Sequence, residues 1–352
     1  MKKAYLYLAS NSRHIGQPVA GFLMLQEKKK LKVSFLHQPS GFDIAKLPHE
    51  HCVAAFIDGK TLIFDMADGY NSKAGLNFTD TLQNVDFYFK RSFSSQKNIS
   101  IINNADLLQK LHPYGFNYYI DYFSIGSLRR LIRTAKNLYN DFEFASPIRS
   151  MHQAAFIWDA QTFVREPIAV SMPPRIIFCT RLWNKSCFTP QELEHINSTR
   201  IELVRALKRE YGSSFVGGVE QSQLSQELCP DIILPSDISQ KANYLELMQN
   251  ADICIGSIGL HQSTGWKTGE YIAASKAIVN EKIVYEVPGN FQEKVNYLPF
   301  TSVDECMEAV AFLYNDPEAI RNMSEANREY YQKYNSPEKL ISNALDIAGI
   351  EI

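Results

Sequence analysis

The most constraining feature of this chain is the regular exchange of short apolar runs and longer amphipathic ones through its second half. Residues 175–180 read Arg-Ile-Ile-Phe-Cys-Thr, a strand too apolar to face water on either side. A helix is predicted over 189–211, opened by Pro190 and closed by Gly212. Phe215-Val216 is a short strand running into Gly217-Gly218, and 232–234 is a short apolar stretch. A helix over 243–250, a strand over 251–255, a helix over about 267–275 and a strand over 277–279 follow. Helices over 303–315, 317–334 and 337–347 close the chain. Strands and helices in this alternation specify a parallel sheet covered by helices on both faces, the doubly wound α/β class.

The first half is less regular. Residues 4–9 form an apolar strand, followed by the polar turn 10–14 and a helix opening near Gln17-Pro18. Residues 31–36 alternate like a strand. Asp58-Gly59 between the apolar runs 52–57 and 61–64 predicts a type I′ hairpin. Strands are expected over 85–89 and 99–102, and a helix over 124–139. Arg129, Arg130, Arg133 and Lys136 can share one face of that helix. The face reads first as a solvated surface; docking on anionic lipid or an acidic carrier is the alternative, a peripheral membrane contact. Three prolines within 165–175 interrupt regular structure and mark a linker. The expected organisation is one domain over 1–165, a second over 175–335, and a terminal helix in 336–352.

Bulk properties exclude several classes. The 352 residues are enough for two domains with real cores. Lys plus Arg is 36 against 38 Asp plus Glu, a formal charge of −2, which argues against a nucleic-acid binder. Six cysteines without any C-x-x-C spacing argue against a disulfide framework and favour a reducing, cytoplasmic setting. No zinc-like Cys/His spacing occurs, so no metal site is expected. The apolar run after Met-Lys-Lys is too short for a signal segment, and no run of 18 apolar residues exists.

Ligands of doubly wound sheets sit beyond the carboxyl ends of the strands. Two loops of the second half lie there. In 180–185, Arg181 can fork two phosphate oxygens and Lys185 can add a point charge. The loop 256–269 holds four glycines, four Ser/Thr hydroxyls and Lys267. Small residues such as Gly259 and Gly265 let backbone N–H groups approach an anion, with Ser257, Ser263 and Thr264 beside them. Glu270 is expected in the first turn of the next helix, either complementing its dipole or accepting hydrogen bonds from both hydroxyls of a ribose. In the first half, Asp65 and Asp68 follow the second hairpin strand and can supply a general base. An Asx turn at Asp68-Gly69 is the alternative. His14, just after the first strand, is another base candidate. Lys90-Arg91 and the 113–117 loop are further candidates to line a cleft.

From Ala251-Asp-Ile-Cys-Ile to Gly269-Glu270-Tyr-Ile-Ala-Ala-Ser-Lys-Ala-Ile-Val279, the chain resembles the strand–loop–helix–strand that grips the nucleotide sugar in GT-B fold glycosyltransferases. Arg181-Leu182 with Lys185 resembles the diphosphate-binding pair of the retaining family-4-like enzymes, and Gly217-Gly218 resembles their glycine turn. The resemblance covers about 175–347. It implies two Rossmann-like domains facing across a cleft, with the acceptor on the first domain and the final helix crossing back to it. It assigns the donor to Arg181, Lys185, Gly218, Lys267 and Glu270, with Glu270 on the ribose. It implies a bacterial glycosyltransferase of surface-polysaccharide or glycoconjugate synthesis, taking a nucleotide-diphosphate sugar to a glycan, lipid-linked or protein acceptor. No D-x-D motif occurs, so no obligate metal or other cofactor is expected. The second carboxylate of the retaining families would fall on Gln262, and the glycine before the arginine is Thr180. The anomeric outcome stays open for that reason. A sugar-nucleotide epimerase of the same fold, or a non-catalytic scaffold, are the alternatives.

Overall fold

A computed structural model describes residues 1–70, 78–121, 160–184, 189–238 and 240–352. Two sheets organise them. The first comprises β1 (Lys2–Leu8), β2 (Leu31–Leu36), β3 (Cys52–Ile57), β4 (Lys60–Asp65), β5 (Phe87–Lys90) and β6 (Leu111–Pro113), in the order β2-β1-β3-β4-β5-β6. It is mixed, because the β3–β4 hairpin brings β3 antiparallel to β1. Asp58 and Gly59 turn that hairpin with φ of 55° and 77°, the left-handed pair a type I′ turn needs. The second sheet is wholly parallel: β7 (Ile176–Thr180), β8 (Phe215–Val219), β9 (Ile253–Gly256), β10 (Ala277–Glu281) and β11 (Leu298–Phe300), in the order β11-β10-β9-β7-β8. β7, β9 and β10 are buried along their whole length, as expected of strands covered on both faces.

The helices that matter for the site are α1 (Gly16–Glu27), α2 (Ser95–Ile101), α3 (Pro190–Tyr211), α4 (Lys241–Asn250), α5 (Trp266–Ala273), α6 (Pro317–Tyr330) and α7 (Pro337–Ile347). α3 begins with a capping box between Thr189 and Glu192 and has Pro190 in its first turn. α7 packs against α1 of the first domain. A Cβ on Gly21 would overlap the Pro337 carbonyl, so glycine sets how closely the two helices approach. Lys28 pairs with Glu338, and Lys60 Nζ donates to the Ala348 carbonyl at 2.5 Å. One apolar core runs through both domains: Phe22, Phe64 and Tyr118 from the first share it with Tyr271, Tyr330 and Ile341. Each such burial contributes roughly 1.5–3 kcal/mol.

Three local expectations are corrected. Residues 99–102 are not a strand: Ser94 caps α2 through a bond from the Lys97 amide, and Ile99 and Ile101 stay exposed. Gly217 and Gly218 lie inside β8 rather than in a turn after it. Glu270 falls in the second turn of α5, beyond the dipole-complementing first turn. The predicted helix over 124–139, with its basic face, and Lys185 lie outside the described residues. Among the described residues no helix is long and apolar enough to cross a membrane.

Candidate active site

A cleft of about 570 Å³ opens between the carboxyl ends of the two sheets. The second domain supplies most of its wall. Arg181 follows β7, and its guanidinium lies 4.0 Å from the centre of the Trp183 ring. Lys267, from the first turn of α5, sits 3.6 Å above the Tyr244 ring of α4. Burial holds its ammonium below the ordinary lysine value, against the opposing pull of Glu270. Glu270 is 2% exposed. One of its oxygens accepts from Lys241 Nζ at 2.5 Å, while Oε2 is buried and has no partner among the described residues. A buried acceptor left unsatisfied costs about 1–3 kcal/mol, so this oxygen marks a place where a donor belongs.

The loop 257–265 is held from behind by a residue the sequence does not advertise. Arg200, on α3 and buried, donates to the Arg181 carbonyl at 2.6 Å, the Ile258 carbonyl at 2.7 Å and Ser257 Oγ at 3.2 Å. Burial lowers its guanidinium to about 10, with Glu281 opposing. Glu281 accepts the Ile258 amide at 2.9 Å, and burial raises its carboxyl. Within the loop, Gly259 N–H donates to the Ser263 carbonyl at 2.7 Å and Ser263 N–H to the Leu260 carbonyl. Those amides are therefore consumed, and among the described residues the amides left for an anion are those in the first turn of α5, at Trp266 and Lys267.

The first domain contributes His14, Asp68 and Arg91 to the same cleft. Arg91 Nη1 pairs with Asp68 Oδ1 at 2.6 Å, and Nη2 donates to the Thr264 carbonyl across the cleft at 2.7 Å. His14 Nδ1 lies 3.3 Å from the Met66 carbonyl, which fixes the proton on Nδ1 and leaves Nε2 as the acceptor. Burial and the nearby Arg91 lower His14 to about 4, against the pull of Asp68, so the ring is neutral at pH 7. It stacks on His51 at 4.5 Å and meets Trp266 edge-on at 4.9 Å.

The structure gathers most of the sequence candidates and separates a few. Arg181, Ser257, Gly259, Ser263, Thr264, Gly265, Lys267, Glu270, His14 and Asp68 all border the cleft. Gly218 does not; it packs against the Ile232–Leu234 segment behind it. Asp65 does not either. It is fully buried, with Oδ2 taking Lys90 Nζ at 2.8 Å and the Tyr88 hydroxyl at 2.6 Å, and Oδ1 taking His49 Nε2 at 2.9 Å. Burial opposes its ionisation, but Lys90 and His49 outweigh burial and hold the carboxyl far below the usual range. A carboxylate so satisfied is a poor base. Tyr114 and Phe116 are buried in the core and not in the cleft wall, Phe116 packing on Phe291 at 4.7 Å. Arg200, Lys241 and Trp183 were not singled out by the sequence. The helical residues among them carry no signal beyond an ordinary charged position.

His49, Cys52 and Asp65 have ligand-type atoms within 4.8 Å of one another, the only such group among the described residues. The donor set does not suit a cation. Lys90 already neutralises Asp65, and His49 Nδ1 accepts the His51 amide at 3.1 Å. Burial raises the Cys52 thiol well above its ordinary value. The cluster is a satisfied internal network beneath the cleft.

Two Rossmann-like α/β domains facing each other across a cleft define the GT-B arrangement, and this chain has it. No family model matches the sequence. No curated protein matches it either. Among solved structures, the chain is similar to UDP-GlcNAc 2-epimerase from Neisseria meningitidis bound to UDP-GlcNAc, at 16% identity and a TM-score of 0.41, covering 78% of this chain and 65% of that one. It is similar to S. aureus MnaA in complex with UDP, at 11% identity and a TM-score of 0.46, covering 99% and 98%. It is also similar to a S. aureus TarM variant crystallised with fondaparinux, alpha-GlcNAc-glycerol and UDP, at 8% identity and a TM-score of 0.46, covering 80% and 48%.

Proposed function

We propose that the protein is a glycosyltransferase that moves a sugar from a nucleoside-diphosphate sugar, held on the second domain, to a hydroxyl acceptor held on the first. The acceptor is a glycan, a lipid-linked sugar or a protein. The observation that carries this reading is Glu270 Oε2, a buried carboxylate oxygen with no partner among the described residues, in a cleft that also holds Arg181 and Lys267. A ribose hydroxyl supplies the missing donor, and the two cations meet the diphosphate.

In the reaction, His14 Nε2 takes the proton of the acceptor hydroxyl. The acceptor oxygen bonds to the anomeric carbon as the bond to the diphosphate breaks. Arg181, Lys267 and the amide end of α5 stabilise the charge that develops on the leaving group. On this reading the diphosphate requires no metal. Asp68 is neutralised by Arg91 and orients that arginine, so His14 is the better base.

Thermal unfolding with UDP, GDP, ADP, CMP and NAD, each with and without Mg²⁺, tests the proposal. A nucleotide at 100 times its Kd adds about 2.7 kcal/mol of stability. Stabilisation by one diphosphate, independent of Mg²⁺ and lost in Glu270→Ala, is the expected result. No shift with any nucleotide contradicts it. Conversion of a nucleotide sugar without any acceptor would replace transfer by epimerisation.

A further inference from the structure

We propose that Arg91 is a positioning residue: its one guanidinium ties the base side of the cleft to the donor loop, which takes its ligand-binding shape only while the two domains are docked. The inference rests on the transferase reading and deepens it by assigning control of the donor loop to the acceptor domain.

The loop 257–265 is strained. His261 and Gln262 have φ of 54° and 60°, consecutive left-handed residues without glycine. Such backbone persists only where its surroundings over-determine it. Beyond Arg200 and Glu281, which hold its start, three contacts from outside the loop bear on residues 261–264. Arg91 Nη2 donates to the Thr264 carbonyl at 2.7 Å. The Tyr285 hydroxyl donates to the His261 carbonyl at 2.8 Å. Gly69, with φ of 66°, lies against the His261 side chain, where a Cβ would collide. Two of the three come from the first domain. Tyr285 is itself fastened there: Lys97 Nζ donates to its hydroxyl at 3.3 Å, and the neighbouring Glu286 accepts from Ser95 N at 2.7 Å and Ser95 Oγ at 2.8 Å. The Arg91 side chain is 5% exposed, and its other nitrogen is committed to Asp68, so it is a brace already in place.

The consequence is a division of labour. Arg200 holds the loop to its own domain, and Arg91 holds it to the other. Losing Arg91 frees Thr264 and lets the His261–Gln262 backbone relax, which displaces Ser263 and the start of α5 where Lys267 sits. Lysine at this position keeps the charge but cannot fork between Asp68 and Thr264.

The test compares wild type with Arg91→Met, Arg91→Lys and Tyr285→Phe, using UDP, GDP and ADP as probes and hydrogen exchange as a second readout. Arg91→Met is expected to weaken the bound diphosphate roughly tenfold, the low end for losing a hydrogen bond to a charged group. Exchange should accelerate in 257–265 and stay unchanged in β7, β9 and β10. Arg91→Lys should show the same loop-confined exchange. With turnover as readout, Arg91→Met moves the acid limb upward in pH, because His14 loses a cation and faces a free Asp68 carboxylate, with His51 its remaining titrating neighbour. Arg91→Lys leaves that limb in place, which a merely structural role would not produce. Wild-type binding and loop exchange in Arg91→Met overturn the inference. Should Arg91→Met fail to fold, Arg91→Lys decides: faster exchange confined to 257–265 supports the brace and unchanged exchange overturns it, and Tyr285→Phe should loosen the same segment. A wild type that binds none of the three diphosphates overturns the transferase reading, and the exchange data still decide whether Arg91 holds the loop.

Discussion

The two sheet ends that meet at the cleft carry similar charges and treat them differently. On the first domain, Asp65 is enclosed by Lys90, His49 and Tyr88, with every oxygen satisfied. On the second, Glu270 has one oxygen on Lys241 and the other with no partner among the described residues. The cause is register. Asp65 pairs across the sheet with both Cys52 and Lys90, so its neighbours arrive with the strands. Glu270 stands on a helix beyond the strand ends, where Lys241 of α4 reaches one oxygen and the other borders the cleft. A closed network contributes stability, and an open one contributes binding.

The contrast can be broken from the closed side first. Asp65→Asn leaves Lys90 buried without its counter-charge and should cost about 3–5 kcal/mol, read as a fall in denaturant midpoint. A loss under 1 kcal/mol would show that the network is not structural. From the open side, Glu270→Ala should leave the unfolding midpoint near wild type and weaken a bound nucleotide by about 1.5–3 kcal/mol. Equal losses of stability in both variants would erase the distinction. Gly21→Ala should overpack α1 against α7 and cost roughly 1–3 kcal/mol, which tests the seat of the terminal helix on the first domain. The smallest effect is on pH. Folded His14 sits at about 4 against a reference of 6.5. Its neutral form therefore contributes full stability above the reference, and that contribution is lost as pH falls through the window down to the folded value. His51 and His112 are lowered too, chiefly by burial, while Glu281 is raised and acts in the opposite sense. Stability measured between pH 7 and pH 4 should decline, and less steeply in His14→Asn.

The second domain was the more legible half. Its strands are short and largely apolar, so their ends and the segments beyond them follow directly: Arg181 falls on the loop after β7, and Lys267 and Glu270 on the helix that follows β9. Arg200 was not legible, because a buried arginine on an amphipathic helix has the same local pattern as a solvated one. In the first domain, residues 99–102 carry a strand-like apolar run, but the Ser94 cap starts a helix and leaves two isoleucines in water. Asp65 drew attention for its place at a strand end. The lysine that disarms it stands at the end of the neighbouring strand, a relation visible only once the register is known.

Glu270 Oε2, buried and without a partner among the described residues, is proposed to accept from a ribose hydroxyl. Calorimetric titration of wild type and Glu270→Ala with a ribonucleoside diphosphate and its 2′,3′-dideoxy analogue tests it most directly. Wild type should prefer the ribose form by roughly tenfold or more, and Glu270→Ala should bind both equally weakly. A wild type that does not distinguish the two, or a preference that survives in Glu270→Ala, would contradict it.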